Sequence, residues 1–268
     1  MKYIIETLKY IKNNFFLLLP SLAVAMLAFA PIIDFSAGAR IAEGFSDGKI
    51  TAGFSDWFKL FMPFNSENWI TIVLSIAAYV ALVLDVAFTH SMVDKHIRFG
   101  SRNFRSILSS FTINFIYGLV SMIAVAAAVL ILALLMAIIM TAFSLAPAYV
   151  FIAGAVICVL LALFFVFVTA HFFLWLPCAE ITGYRMSEAL YSSYAQARTI
   201  RWHNFVAIAL PLAVALVITT LIAVFLSNAA AIIAGAVCFG CAYMVIVVSS
   251  YMAYVDVEGI EREDLRKY

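Results

Sequence analysis

WLPCAEITGYRMSEALYSSYAQARTIRWHNF, from Trp175 to Phe205, separates two long apolar runs of the sequence. The run before it ends at Pro177, and the next begins at the pair Asn204-Phe205. The residues between carry charges, tyrosines and serines, but no catalytic motif. This composition is typical of a connection between two membrane spans, and similar amphipathic segments precede two other apolar runs.

The whole chain is strongly apolar. Of its 268 residues, 66% are hydrophobic and 12% are charged, and the mean hydropathy is +1.09. A soluble domain has about half apolar and about a quarter charged residues, so we predict an integral membrane protein. The net charge of +1 predicts no nucleic acid partner. The amphipathic N-terminus does not match a cleaved signal peptide.

Six apolar runs are long enough to cross about 30 Å of hydrocarbon, which takes about 20 helical residues. The predicted fold is one all-α transmembrane domain over residues 1–268, with spans at 15–33, 69–90, 111–141, 148–176, 205–226 and 229–254. Three amphipathic segments are predicted to lie at the membrane interface, at residues 1–14, 91–110 and 181–203. The long connection 34–67 is predicted to hold one or two short surface helices, and residues 255–268 to form a charged tail.

Lysine and arginine are distributed unevenly between the connections. The N-terminal segment, the two joints and the tail hold 13 of the 16 cations, and the loop 34–67 holds the other three. Positive charge is retained on the cytoplasmic side of a membrane. Both termini and both joints are therefore predicted to be cytoplasmic, in a bacterial inner membrane, with the loop 34–67 outside.

Three spans follow an amphipathic segment and begin with the same dipeptide, at Asn14-Phe15, Asn114-Phe115 and Asn204-Phe205. The three return spans each end near an acid, at Asp94, Glu180 and Asp256. Such internal similarity predicts three units, each an interfacial helix followed by a two-span hairpin.

The joint also carries a family resemblance. Pro177-x-x-Glu180, followed by Ser187, Ala189-Leu190, Ser193 and Trp202-x-Asn204-Phe205, resembles the joint of bacterial six-span families in the superfamily of glycerophosphodiesterase membrane domains. Members of these families stand alone or are fused to a soluble enzyme. The second joint of this chain departs from the pattern because it lacks the proline. The resemblance implies a six-span architecture and carries over no functional residue.

Asp85 is an ionisable residue inside the second predicted span, about a turn and a half from its cytoplasmic end, and such residues mark functional sites. If Asp94 and Glu180 are equivalent, the repeat aligns Asp85 with His171. A carboxylate and an imidazole at one depth could bind a ligand or relay protons, because each stabilises the other's charged form. His90 is a third candidate for this role. The alternative is that Asp85 caps a neighbouring helix while His171 bonds a backbone carbonyl.

Two clusters of arginines lie on the joints, and each cation near a membrane surface contributes about 1 kcal/mol to binding anionic lipids. The candidates for anionic headgroup binding are Arg98, Arg102, Arg105, Arg185, Arg198 and Arg201. Alternatively, these residues only enforce the topology.

Two short motifs resemble catalytic motifs, but their predicted positions do not favour catalysis. Gly44 to Gly48 matches G-x-S-x-G, but Ser46 is predicted about a bilayer thickness away from every histidine. Cys238-x-x-Cys241 lies inside the sixth span, where small residues four apart let helices approach closely. No metal-ligand cluster or P-loop is present in the sequence, so no catalytic residue, metal or cofactor is predicted.

The sequence therefore predicts a membrane protein that handles a lipid or amphiphilic small molecule, or moves it across or within the membrane. The alternative is a non-enzymatic scaffold or accessory subunit, which docks a partner protein through the cytoplasmic joints or the loop 34–67. Because the third, fifth and sixth spans are nearly free of polar side chains, lipid handling or scaffolding is favoured over ion or sugar transport. Membrane lipids are the predicted partners.

Overall fold

A computed structural model describes residues 2–35, 38, 41, 52–62, 65, 68–100, 114–144, 148–182, 184–225 and 228–262. These residues form helices and connections, with no strand in the part described. The helices are α1 (Lys2–Asn13), α2 (Phe15–Ile32), α3 (Phe54–Phe61), α4 (Trp69–Phe99), α5 (Asn114–Ser144), α6 (Ala148–Ala170), α7 (Trp175–Thr182), α8 (Met186–Phe225) and α9 (Asn228–Glu258).

Six of these helices, α2, α4, α5, α6, α8 and α9, are long and apolar enough to cross a membrane. This confirms the predicted all-α fold with six spans, and the chain is a multi-pass membrane protein. A helix is stable in hydrocarbon because it satisfies its backbone hydrogen bonds within one segment. The threefold repeat and the position of the termini stay predictions.

Helix α4 is longer than the predicted second span. It continues through residues 91–99, which were expected to lie flat at the interface, and ends at Gly100. Gly100 has a φ of 62°, and its N–H bonds the carbonyl of His96 at 3.0 Å. Glycine adopts this left-handed conformation without a steric penalty, so the helix ends there. The remainder of the predicted interfacial segment, residues 101–110, lies outside the described residues.

Helix α8 likewise joins a predicted interfacial segment to a span. It runs for 40 residues without a break at Asn204, and Pro211 does not interrupt it. At 1.5 Å per residue its length is about 60 Å, about twice the hydrocarbon thickness of about 30 Å. About half of the length of α8 is therefore not needed to cross the hydrocarbon, and this excess corresponds to its N-terminal half.

The predicted fourth span, residues 148–176, is interrupted instead. Helix α6 ends at Ala170, and His171 and Phe172 donate their backbone N–H groups three residues back, to Val168 and Thr169. Such bonds tighten a helix end. Pro177 has no N–H to continue the ladder and is tolerated only in the first turn of the new helix, α7.

Helix α1 docks on the bundle mainly through hydroxyl-bearing side chains. Its aliphatic residues Ile5 and Leu8 are each 51% exposed. The fully buried side chains are instead Tyr3, Thr7 and Tyr10. Their hydroxyls find partners on α4 and α9. A buried hydroxyl without a hydrogen bond is costly, whereas lipid can solvate Ile5 and Leu8. Satisfying the three hydroxyls therefore matters more for the orientation of α1 than burying the two aliphatic side chains.

The loop between the first two spans contributes α3, the short helix expected there. Its Trp57 is almost fully buried and lies beside Phe151 of α6, with ring centroids 5.8 Å apart. Cys158 of α6 belongs to the same apolar cluster. Helix α3 therefore closes one end of the α5–α6 hairpin.

Small residues of α9 allow α2 to approach closely. A Cβ atom on Gly240 would lie 2.8 Å from Met26 Cγ and 3.2 Å from the backbone nitrogen of Met26. Backbone cannot move aside as a flexible side chain can. The predicted role of the small residues in the sixth span is therefore helix packing.

Gly240→Ala is expected to lower the free energy of unfolding by about 1 to 3 kcal/mol, the usual cost of overpacking. Thermal unfolding in detergent would measure this, with Val237→Ala as the control because Val237 is exposed on the same helix. Equal melting temperatures for Gly240→Ala and the wild type would mean that α2 and α9 are further apart.

Candidate functional site

Asp85 lies near the middle of α4, because that helix continues to Phe99. Its side chain is 4% exposed, and its Oδ2 atom has no hydrogen-bond partner among the described residues. The hydroxyls of Ser21 in α2 and Tyr243 in α9 lie close to the carboxylate. Thr89, one turn further along α4, donates to Ser21 Oγ at 2.9 Å. Three helices thus surround one carboxylate with hydroxyl groups.

His90 lies next to this group and is 1% exposed. Its Nδ1 atom lies 2.7 Å from Glu180 Oε2 of α7. Its Nε2 atom lies 2.9 Å from Ser250 Oγ and 3.2 Å from the carbonyl oxygen of Val247, both in α9. Ser250 donates its own proton to Val247 at 2.7 Å. Both ring nitrogens therefore face acceptors, an arrangement that a positively charged imidazolium satisfies completely.

When Asp85, His90 and Glu180 are all ionised, their charges do not sum to zero. In that state His90 and Glu180 form an ion pair across the α4–α7 interface. Asp85 is then left with one negative charge and an oxygen without a partner. An isolated buried carboxylate is expensive in a low-dielectric environment, so it takes up a proton or a cation. We call Asp85, His90, Glu180 and the hydroxyls of Ser21, Thr89, Tyr243 and Ser250 the buried polar cluster.

A second layer of polar contacts lies towards the end of α4. Tyr251 of α9 donates to Asp94 Oδ1 at 2.6 Å, and Arg98 pairs with the same oxygen at 2.6 Å. Tyr10 of α1 lies 2.9 Å from His96 Nδ1. These contacts fix the C-terminal turns of α4 against α1 and α9, just outside the buried polar cluster.

Asp256 anchors the start of α1. Lys2 donates to it at 2.7 Å, and this hydrogen bond raises the pKa of Lys2. Tyr3 donates to its other oxygen at 2.9 Å, and burial together with this bond raises the pKa of Tyr3. The stability that both contribute is complete below their ordinary pKa values of 10.5 and 10.0 and is lost as pH rises through the raised values. The anchor is therefore intact at neutral pH.

His171 has different neighbours from Asp85. Its Nδ1 atom lies 2.9 Å from the carbonyl oxygen of Phe167, four residues earlier in α6. Its ring stacks on Tyr194 of α8, with centroids 6.1 Å apart. These contacts match the alternative interpretation of His171, in which it satisfies a backbone carbonyl. The imidazole beside Asp85 is that of His90.

The predicted headgroup-binding arginines divide into three groups. Arg98 is paired with Asp94. Arg185, Arg198 and Arg201 are exposed on or beside the first half of α8, and none of them forms an ion pair with another described residue. Arg102 and Arg105 lie outside the described residues. Exposed, unpaired guanidinium groups near a membrane surface are suited to anionic groups.

The G-x-S-x-G stretch with Ser46 also lies outside the described residues. Cys238 and Cys241 are free thiols, and the exposed one is Cys241. Among the described residues, no group of three or more His, Cys, Asp or Glu side chains could hold a metal ion.

Most partners of Asp85 and His90 were not predicted from the sequence. Glu180 was recognised only in the repeat and in the resemblance of the joint, and Ser21, Thr89, Tyr243 and Ser250 were not among the predicted site residues. One signal was present, since Asp85 and Thr89 are four residues apart and share a helix face. The contributions of α2, α7 and α9 depend on which helices pack together.

Comparisons of the chain with family models, with curated proteins and with solved structures found no match. The resemblance of the joint between Pro177 and Phe205 therefore stays a prediction.

Proposed function

We propose that this multi-pass protein binds a lipid or other amphiphilic small molecule and moves it within or across the membrane. The buried polar cluster is the polar part of its binding site, and protonation of the cluster accompanies the movement. The observation that carries this proposal is the buried Asp85 carboxylate, whose Oδ2 atom has no partner among the described residues. Ionisable residues kept within a membrane bundle are costly and are typically functional.

The composition of the bundle supports an amphiphilic ligand. The buried polar cluster draws on α2, α4, α7 and α9, whereas the surfaces of α6 and the second half of α8 are almost entirely apolar. Exposed side chains there include Phe164, Leu160, Val159 and Val217. A headgroup with hydroxyl or amine donors would satisfy Asp85, while acyl or other apolar chains would lie along these helices.

The location and the orientation are part of the proposal. With 13 of 16 lysines and arginines in the terminal segments and joints, both termini would face the cytoplasm of a bacterial cell. The buried polar cluster would then lie in the cytoplasmic half of the bundle. Arg185, Arg198 and Arg201 would lie at that surface, where they could attract anionic headgroups.

Native mass spectrometry of the protein in lipid nanodiscs tests this proposal. The wild type should retain an amphiphile, and Asp85→Asn should retain about tenfold less, because a hydrogen bond to a charged group contributes about 1.5 to 3 kcal/mol. Glu188→Gln is the control, since Glu188 is an exposed carboxylate of α8 outside the buried polar cluster. Equal retention by Asp85→Asn and Glu188→Gln would contradict the proposal.

The second candidate is a scaffold, and the length of α8 favours it. Tyr184, Ser187, Glu188, Tyr191 and Ser192 line a shallow depression of about 340 Å³ beside the extended half of α8. Tyr191 is 78% exposed, and exposed tyrosines are frequent at protein interfaces. A second polypeptide at a fixed ratio in the same spectra, lost in Tyr191→Ala, would support this function instead.

A further inference from the structure

The oxygen atoms around Asp85 come from three helices. Ser21 follows Pro20 in α2, Thr89 lies one turn after Asp85 in α4, and Tyr243 belongs to α9. The Thr89 and Ser21 hydroxyl oxygens are 2.9 Å apart. The Tyr243 hydroxyl donates to the carbonyl of Leu82 at 2.7 Å, which places it on the same side of α4. The Asp85 carboxylate, the hydroxyls of Ser21, Thr89 and Tyr243 and the carbonyl of Leu82 therefore lie near one another between α2, α4 and α9.

Oxygen ligands of this kind suit hard cations. Carboxylate, hydroxyl and carbonyl oxygens are the groups that sodium, magnesium and calcium prefer, whereas soft metals need sulfur or imidazole. His90 does not compete for the ion, because both of its ring nitrogens are occupied by Glu180, Ser250 and Val247. The unpartnered Oδ2 atom of Asp85 is thus free to act as a ligand.

Charge decides which cation fits. When His90 carries a proton on both ring nitrogens, which its acceptor partners allow, the His90–Glu180 pair is neutral and the cluster carries the single negative charge of Asp85. A divalent ion would leave an uncompensated positive charge in a low-dielectric environment, which is costly. A monovalent ion cancels the charge, and transporters also hold sodium through oxygen ligands inside the membrane, there mostly backbone carbonyls.

We propose that Asp85 Oδ2, with Ser21, Thr89 and Tyr243, binds one sodium ion between α2, α4 and α9. The inference rests on the proposed function and adds sodium, in exchange for the proton, as an ion that accompanies the movement. A proton on Asp85 excludes the ion, so sodium and protons compete for this site. The other titratable groups facing it are His90 of α4, Glu180 of α7 and Tyr243 of α9, and α2 contributes none. Movement of the amphiphile would then be linked to sodium.

Thermal unfolding of the purified protein at constant ionic strength tests the sodium site. The melting temperature should rise with NaCl and saturate, as for any ligand that binds only the folded state. Choline chloride should have no effect, and KCl should have a smaller one. Because protons compete with sodium, lowering the pH should raise the NaCl concentration that gives half the effect. Once Asp85 is mostly protonated, this concentration should rise about tenfold for each unit by which the pH falls.

Variants connect the effect to the proposed ligands. Asp85→Asn should abolish the sodium response, and Ser21→Ala and Thr89→Val should each weaken apparent affinity about tenfold or more. Ser187→Ala is the matched control, because its hydroxyl is exposed on α8. Gel filtration and circular dichroism establish that each variant is folded. A sodium response that persists in Asp85→Asn, or that choline reproduces, would overturn the inference.

The outcomes separate this inference from the proposed function. If sodium has no effect but Asp85→Asn still loses the amphiphile in nanodiscs, the sodium site is wrong and the coupling ion is the proton. If sodium stabilises the wild type but the amphiphile is retained equally by Asp85→Asn, the sodium site stands and the proposed function is wrong.

Discussion

Replacing His90 with alanine is expected to lower the free energy of unfolding by about 3 to 5 kcal/mol, the usual cost of removing one partner from a buried ion pair. The substitution leaves Glu180 without its imidazole partner in a side chain that is only 10% exposed. It also removes the contacts of Nε2 with Ser250 and the carbonyl of Val247. Three helices, α4, α7 and α9, lose their common polar connection.

His171→Ala is the matched control for this experiment. His171 is only half-buried and bonds the carbonyl of Phe167, four residues earlier in the chain, so its loss should change stability by about 0.5 kcal/mol, as at surface sites. Unfolding of both variants in the same detergent, followed by circular dichroism, gives the comparison. If the two alanine variants unfold at the same temperature, His90 is not held by a buried ion pair.

Asp85→Asn is expected to have the opposite effect on stability. In choline chloride, without sodium, it should raise the free energy of unfolding by about 1 to 3 kcal/mol, the cost of a buried polar group without a partner. Without sodium, the wild type must keep either the negative charge of Asp85 or a bound proton inside the bundle, whereas the asparagine needs neither. Substitutions that remove a functional group often raise stability at the cost of function.

Asp94→Asn is the matched comparison for Asp85→Asn. Asp94 is a carboxylate of the same helix, but unlike Asp85 it has hydrogen-bond and ion-pair partners in the structure. It accepts a hydrogen bond from Tyr251 and pairs with Arg98. Its loss should lower the free energy of unfolding by about 1 to 3 kcal/mol. The same substitution at Asp85 and at Asp94 should therefore shift the melting temperature in opposite directions. A decrease in both would indicate that Asp85 has an equivalent partner in the folded protein.

The predicted start of the second span was accurate because the local sequence acts directly. Asn68 starts α4 by accepting a hydrogen bond from the N–H of Thr71 at 3.0 Å. The end was not predicted, since α4 continues past His90 and ends only where Gly100 adopts its left-handed conformation. The breaks expected at the joints were less accurate. Nothing near Asn204 prevents a helix from continuing, and α8 passes through it.

The face on which each span packs was not predictable in the same way. A soluble helix shows its buried face because the other side is polar, but a membrane helix is apolar on both sides. Asp85 could be recognised as unusual, yet its hydroxyl neighbours in α2 and α9 could not. The proposed alignment of Asp85 with His171 came from a repeat in the sequence, whereas the contact of Glu180 with His90 comes from the position of α7.

The sequence by itself determined the class of the protein, the six spans and the positions of its unusual charges, because these follow from hydropathy and from the cost of burying ions. Only the tertiary structure decided that α1 docks through Tyr3, Thr7 and Tyr10, and that His90 pairs with Glu180. The physical reason is that hydrocarbon covers any apolar face equally well. Hydrogen bonds between a few polar groups then select which helices meet, and those groups lie far apart in the chain.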